Sequence, residues 1–574
     1  MAPFDAINKA PGVYIQEIDV PGPIAGVGTS TAAFIGPAEQ GPINTPVFLT
    51  NWTQFQTMFG GYITAPPVYV THAIRGFLDN GGASFYFVRV SKAVRASLTL
   101  NDRATSAKPI LVVIAKQEGA QATDIQVEVK DAVLSDTTVT GNSLTARTTA
   151  IPVQSVTGIE ANTTVQISQG NNSETRKVQS VNATEKSITL TTGLQQDYTS
   201  PAENPVHVRT LGFTLVVTAV DGTETAFENL SMDSNHSRYF ANLVQSKLVD
   251  VTLADPPNAT APPQNRPAVQ AKTKLNAPAG QSDDLSQLTS ADYIAAIRTL
   301  ERIDDVNILC IPDRTDQDVQ KAMIAHCEKM QDRFAILDPG YGLIPDATAS
   351  SGIGKQRSGI GSDGGYAALY YPWIEITNPL GAGRLTVPPS GHLAGVYART
   401  DGSRGVFKAP ANETIRGALA LEQRLTDDEQ GPLNEQGINV LKSVAGRGVV
   451  VWGARTLSQK PQWRYINVRR LMLFIEESIQ EGTQFAVFEP NGLELWQKVK
   501  RQVTEFLTRV WTDGALFGAT AKQAFQVRVD EELNPPDLRA LGQLVIEVVV
   551  YPVTPAEFIV FRIIQQPGGP SVQE

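Results

Sequence analysis

Apolar and polar positions change rhythm three times along the chain. Residues 32–35, 85–90, 306–311 and 334–337 are short continuous apolar runs, the mark of strands covered on both faces. Between them, 70–80, 293–302 and 318–331 carry apolar residues three and four apart, which predicts helices. Thr289 with Asp292 gives a helix-start pattern for the second of these. Strand alternating with helix predicts a mostly parallel, covered sheet drawn from 21–92 and 287–380 as one α/β domain. From about 93 the texture becomes Thr, Ser, Val and Asn, with strand runs at 111–115, 125–129 and 213–220 and short strands through 151–206. We read 93–252 as an inserted all-β domain with a nested β module at about 140–208, closed by a helix over 237–249. Residues 253–286 are rich in Pro and Ala without periodicity and read as a linker.

Two further patterns lie beyond 381. In the first, Trp496, Val499, Val503, Phe506, Leu507 and Val510 recur at helical spacing and define a core face, with Lys498, Lys500, Arg501 and Arg509 off that stripe. Arg469 and Arg470 open an apolar helix over 471–479, and Arg399, Asp401 and Arg404 group around a DGSRG turn, which suggests an internal ion pair. The second is the final apolar stretch, 543–566, two β-rich runs (544–551 and 558–564) separated by Pro552 and Pro555. It predicts a hairpin or a broken pair of strands in search of a sheet, because an isolated two-stranded ribbon is marginal in water. Residues 381–542 are expected to form a C-terminal α/β domain and 543–574 a terminal strand segment.

Composition removes several functional classes. The chain has 574 residues and a net charge of −10, which argues against a nucleic-acid binder working through a general basic surface. Two cysteines, Cys310 and Cys327, leave no disulfide framework and read as buried packing residues. The first 19 residues lack a basic start followed by an apolar core, and no apolar run reaches the roughly 18 residues of a membrane helix. The expectation is a protein made and kept in the cytosol, without membrane insertion. Gly359, Gly361 and Gly364 satisfy G-x-G-x-x-G, but no strand precedes them, so 351–365 reads as a flexible surface loop rather than a phosphate cradle. The five histidines show no metal-ligand spacing, and the acidic pairs at 427–429 and 476–477 read as solvated charge. No enzyme chemistry, cofactor or metal is expected.

Seven segments in one order carry a resemblance: PGVYIQEID, TAAFIGPAEQGP, VPPSGHLAGVYARTDGSRGVFKAPAN, WGARTL, WRYINVRRLMLFIEESI, FAVFEPNGLELW and PAEFIVFRIIQ. Together they resemble the tail sheath proteins of contractile phages and related contractile injection systems, over about 1–92 and 287–566. That resemblance implies a non-enzymatic subunit that assembles as a helical stack of rings around an inner tube and contracts to drive it through a target envelope. Its expected partners are further copies of itself, the tube protein, and baseplate and tail-terminator proteins, and its expected place is a phage tail or injection particle assembled in the cytoplasm. It also implies N- and C-terminal strand-exchange arms. Val13, Tyr14, Ile15 and Ile18, in an arm over 1–20, and Phe558, Ile559, Val560, Phe561, Ile563 and Ile564 occupy the matching positions. Under the same resemblance, part of the basic face of Lys498, Lys500, Arg501 and Arg509 meets the tube; the ordinary alternative is a solvated helix face. A multidomain β-rich glycan-binding protein is the rival suggested by the Thr- and Asn-rich insertion, and a nucleotide-using α/β enzyme the third reading.

Overall fold

The computed structural model describes residues 23–64, 68–118, 123–141, 143–199, 203–257, 259–276 and 284–562. Val13, Tyr14, Ile15, Ile18, Ile563 and Ile564 lie outside the described residues. Helices and strands are mixed, and the chain divides into two compact units, Met1–Phe34 with His72–Tyr86 and Leu300–Glu574, and Ile35–Thr71 with Phe87–Thr299.

The first unit is built on a sheet whose order runs Ala32–Gly36, Ile308–Cys310, Phe334–Leu337, Ala367–Tyr371, Ile438–Val444, Gly448–Val451. The first four pairings are parallel, and the last is antiparallel. The continuous apolar runs explain the arrangement: AAFIG, FAIL and AALYY are buried at every position, so each strand is covered on both faces. Helix Gln317–Met330 starts where the Asp316 side chain accepts from the Val319 amide and stops at Gln331 in the left-handed region. Helix Ser390–Arg404 is buried nearly all round. Two of its glycines let it approach the neighbouring helix at backbone range: a Cβ on Gly391 would lie 2.3 Å from the Ala73 carbonyl oxygen, and one on Gly395 2.4 Å from that of Phe77. Toward the C-terminus, helices Ile466–Gly482 and Leu493–Thr512 pack around Leu471, Ile475, Trp496, Val499, Val503 and Phe506, beside a two-stranded ribbon of Phe525–Arg528 and Glu547–Val550.

The second unit is strand-rich. Its longest pairing joins Gln126–Thr138 to His207–Thr218, antiparallel over twelve partners from His207 opposite Thr138 to Thr218 opposite Gln126. Strands Thr164–Gln169, Asn172–Asn182, Ser187–Leu190 and Ala150–Pro152 extend that sheet, and their inward residues make a separate core around Val165, Ile167, Val178 and Ile188. A three-stranded sheet of Val249–Leu253, Pro109–Glu118 and Arg95–Asn101 stands beside another core around Leu111, Val113, Phe213 and Leu215.

Five expectations are corrected. The helix over 237–249 is a single turn, Phe240–Leu243, followed by strand Val249–Leu253, because alternating Val249, Val251 and Leu253 pair with Pro109–Glu118. Part of the linker is a strand: Gln270–Lys274 pairs with Gln126–Thr138. The glycine-rich stretch contains helix Gly352–Ser358, held by the buried Arg357 guanidinium, which donates to the carbonyls of Gln436, Ile360 and Leu457. The DGSRG residues Arg399, Asp401 and Arg404 lie in the last turns of helix Ser390–Arg404, which ends at Gly405 with φ of 96°. At the terminus no hairpin forms among the described residues: Glu547–Val550 pairs with Phe525–Arg528, and Phe558, Ile559, Val560 and Phe561 belong to no strand. Cys310 and Cys327 are both buried and free, as expected.

Asp338 ends the strand Phe334–Leu337 inside the core, where its Oδ1 accepts the Ser390 amide at 2.8 Å, at the head of helix Ser390–Arg404. Burial outweighs the hydrogen bonds from Ser390 and pushes its carboxyl from 3.8 up to about 7. The folded chain therefore holds this proton where the unfolded chain has released it, so this group makes stability fall as pH rises from about 4 to about 7. Asp338→Asn is expected to remove that fall. Urea midpoints measured across this range in both proteins check it, and an unchanged pH slope would refute the assignment.

Candidate functional site

Of the residues expected to reach other molecules, those that are described lie in the C-terminal part of the first unit. Helix Leu493–Thr512 buries Leu495, Trp496, Val499, Val503, Phe506, Leu507 and Val510, the face read from the spacing. Its four basic residues divide into two kinds. Lys498 lies over the Phe485 ring at 4.7 Å, and Arg509 donates to the Ile24 carbonyl, so both are engaged by their own chain. Lys500 and Arg501, which lie between them along the helix, are exposed and without an ion pair among the described residues.

After the strand Glu547–Val550 the backbone stays ordered through two more contacts. Phe517 donates to the Tyr551 carbonyl at 2.7 Å, and Val553 donates to that of Ala515 at 3.1 Å. Glu557 then fixes the segment. Its carboxylate takes Arg455 Nη2 at 2.6 Å and Nε at 2.9 Å, Asn434 Nδ2 at 2.8 Å and Tyr465 Oη at 3.2 Å. Burial alone would raise this carboxyl; the bonds from Arg455 and Asn434 outweigh it and hold the group below its ordinary value, ionised at neutral pH. Immediately beyond, Phe558, Ile559, Val560 and Phe561 are 75%, 72%, 80% and 85% exposed. Four successive large apolar side chains in water are anomalous for a chain end held this firmly. A groove of about 610 Å³ runs beside the root of this segment, walled by Phe407, Trp452, Tyr465, Val553, Phe558 and Ile559.

The other end of the described chain is rooted in the same body. Ile24 is buried among Leu471, Ile475 and Phe506; the Val27 amide donates to Ser478 Oγ at 3.1 Å, and the Thr29 carbonyl accepts Arg470 Nη2 at 2.8 Å. Arg470 forks onto Asp401 at 2.6 and 2.9 Å with both side chains almost wholly buried, 3% and 4% exposed. Burial works against the charged guanidinium, and Asp401 more than offsets it, leaving Arg470 above its ordinary value. Arg469 turns the other way: its guanidinium lies over the Trp463 and Tyr366 rings at 3.5 and 4.5 Å and donates to the Gly364 carbonyl. The glycine run is thus framework.

Sequence reasoning located the exposed terminal run and the helix face, and missed the residues that root them. Arg455, Tyr465, Asn467 and Glu557 sit inside WGARTL, WRYINVRR and PAEF, three of the segments that carried the resemblance, but nothing in a linear reading ties one to another. Among the described residues no cluster of His, Cys, Asp or Glu is arranged to hold a metal, and no helix is long and apolar enough to cross a membrane.

The sequence matches the phage tail sheath protein central domain over residues 286–457 and the phage tail sheath C-terminal domain over 458–566, which takes in every root residue named above except Ile24, Val27 and Thr29. Residues 286–566 carry phage tail sheath domains. Among curated sheath proteins it is 26% identical over 253 residues to that of Vibrio phage KVP40, covering 41% of this chain and 37% of the relative. With the tail sheath protein of Burkholderia phage BcepMu the figures are 30% over 187 residues, 31% of this chain and 38% of the relative. The chain thus matches less than two fifths of the length of either sheath relative. Its fold resembles the helical sheath of the anti-feeding prophage in the contracted state, with a TM-score of 0.53 at 20% identity over 98% of this chain and all of the other. In this chain the helix stripe is core and the exposed pair is not. Phe506→Ala should lower unfolding free energy by about 3–5 kcal/mol, whereas Lys500→Glu should change it by less than about 0.5 kcal/mol. Urea titration of both variants measures the contrast, and equal costs would mean the helix is misplaced.

Proposed function

We propose that the chain is a structural, non-enzymatic subunit of a contractile sheath, which stacks helically around an inner tube and shortens by rigid-body rearrangement to drive that tube through a target envelope. The observation that carries this reading is the anchored Glu557 followed at once by the exposed run Phe558, Ile559, Val560 and Phe561. Such a run is built for cover that its own body does not give. The ribbon Phe525–Arg528 with Glu547–Val550 has only two strands, and added strands would stabilise it. In this reading the apolar run, with Ile563 and Ile564, adds to the sheet of a neighbouring copy, and Val13, Tyr14, Ile15 and Ile18 form the second arm. Ordering costs about 1–2 kcal/mol per residue, and a ladder bond returns only about 0.5–1.5 kcal/mol. Burial of large apolar side chains, about 1.5–3 kcal/mol each, therefore decides whether an arm holds. Head-to-tail contacts that do not close generate helical assemblies.

The tube-facing surface is proposed at Lys500 and Arg501, since Lys498 and Arg509 are already engaged. Exposed charges contribute weak, salt-screened contacts, which suits a grip that must release. The strand-rich segment 93–252 is proposed as an insertion carried on the sheath core. Baseplate and tail-terminator proteins are the proposed end partners, assembly takes place in the cytoplasm, and no cofactor, nucleic acid or membrane insertion enters the reading. Nothing in the family match supports the glycan-binding alternative.

Removing residues 558–574 is expected to leave a folded protein that forms no tubes. Negative-stain microscopy decides it, since normal sheaths from the truncated chain would remove the arm role. Reversing Lys500 and Arg501 to Glu is expected to spare self-assembly while lowering co-sedimentation with the tube protein, most clearly at low salt. Unchanged co-sedimentation would end the basic-face proposal.

A further inference from the structure

One turn of helix holds both ends of the described chain. Tyr465, which caps helix Ile466–Gly482, donates its hydroxyl to Glu557 at 3.2 Å. Two residues on, Asn467 spends both Nδ2 hydrogens on backbone carbonyls from separate segments, Val553 at 3.1 Å and Phe407 at 2.8 Å. Three residues farther, Arg470 donates to the Thr29 carbonyl at 2.8 Å and pairs with Asp401. The Asp401 carboxylate in turn accepts Thr29 Oγ1 at 2.8 Å and Ser30 Oγ at 3.2 Å. Residues three apart lie on one helical face, so Asn467 and Arg470 hold the C-terminal and the N-terminal root from the same side of one rigid element.

We propose that this turn, Tyr465 to Arg470, is a clamp that joins the roots of the two arms into one load path. Two features separate it from ordinary packing. It grips the path of the backbone through main-chain oxygens at 29, 407 and 553, besides the carboxylates of Asp401 and Glu557. Asn467 is 1% exposed, and its Oδ1 finds no partner among the described residues. A buried polar atom left unmatched is a cost that stability alone does not favour, and here it accompanies an amide whose other end is fully used in joining two segments. The inference rests on the arm reading given above for its role in an assembly: a pull on the C-terminal arm reaches the N-terminal arm through one helical turn, and tension passes from copy to copy without opening the sheet.

The coupling itself is testable in the unassembled full-length chain by hydrogen–deuterium exchange. Arg470→Lys alters the N-terminal root and is expected to speed exchange of the Val553 amide several-fold; Asn467→Ala alters the C-terminal root and is expected to do the same at Val27. Strand Phe334–Leu337 serves as the internal reference and should exchange as in the parent protein. If each variant loosens only its own root, or if exchange accelerates uniformly with the reference strand included, the clamp is overturned. Should Asn467→Ala fail to fold, Tyr465→Phe removes a single bond to Glu557 and replaces it, with the same expectation at Val27 and the same outcome refuting it. Failure of the arm reading shows separately, as normal tubes from the chain lacking 558–574, so the two are not confused.

Discussion

The ion pair of Arg470 with Asp401 is where the first unit is tied together. Both charges are withdrawn from water, and each is matched by more than the other: the guanidinium lies over the Tyr397 ring at 4.9 Å, and the carboxylate accepts two hydroxyls besides. Pairs of this kind add little net stability against an apolar replacement, but losing one partner strands a buried charge and costs about 3–5 kcal/mol. Its role is therefore to fix position. It sets helix Ile466–Gly482 against helix Ser390–Arg404 and brings the segment around Thr29 to the same spot, so three stretches distant in sequence share one electrostatic anchor.

Much of this was legible in the sequence, for physical reasons that differ by element. The parallel strands announced themselves because burial on both faces demands unbroken apolar runs, as in 334–337. The helix from Leu493 was legible because its stripe of Trp496, Val499, Val503 and Phe506 repeats over about three turns. The helix near 240 failed because the run Val249, Val251, Leu253 reads as strand only once Pro109–Glu118 is there to pair with it. The glycine run failed for a related cause: Arg357 inside it reaches the carbonyls of Gln436 and Leu457, 79 and 100 residues away, and Arg469 reaches back across 105 residues to the Gly364 carbonyl. Glu557 carried no signal at all, since a lone acid in PAEF acquires meaning only beside Arg455, Asn434 and Tyr465.

The terminal segment shows how far composition and geometry each reach. Its apolarity calls for cover, while the body that roots it gives the segment a direction. With Glu557 held and the next four side chains in water, the chain leaves at a defined place and heading, so the entropy lost on docking is already partly spent. The division of the basic residues follows the same logic: Lys498 and Arg509 are consumed by the fold's own aromatic and carbonyl groups, and Lys500 and Arg501 between them stay exposed.

The near-contact of backbones at Gly391 and Gly395 bears on how such a body would deform. Where main chains touch, there are no side chains to rotate and no voids to close, so this region has almost no compliance. Stress applied to these two helices therefore has little room to relax between them and is passed on rather than absorbed.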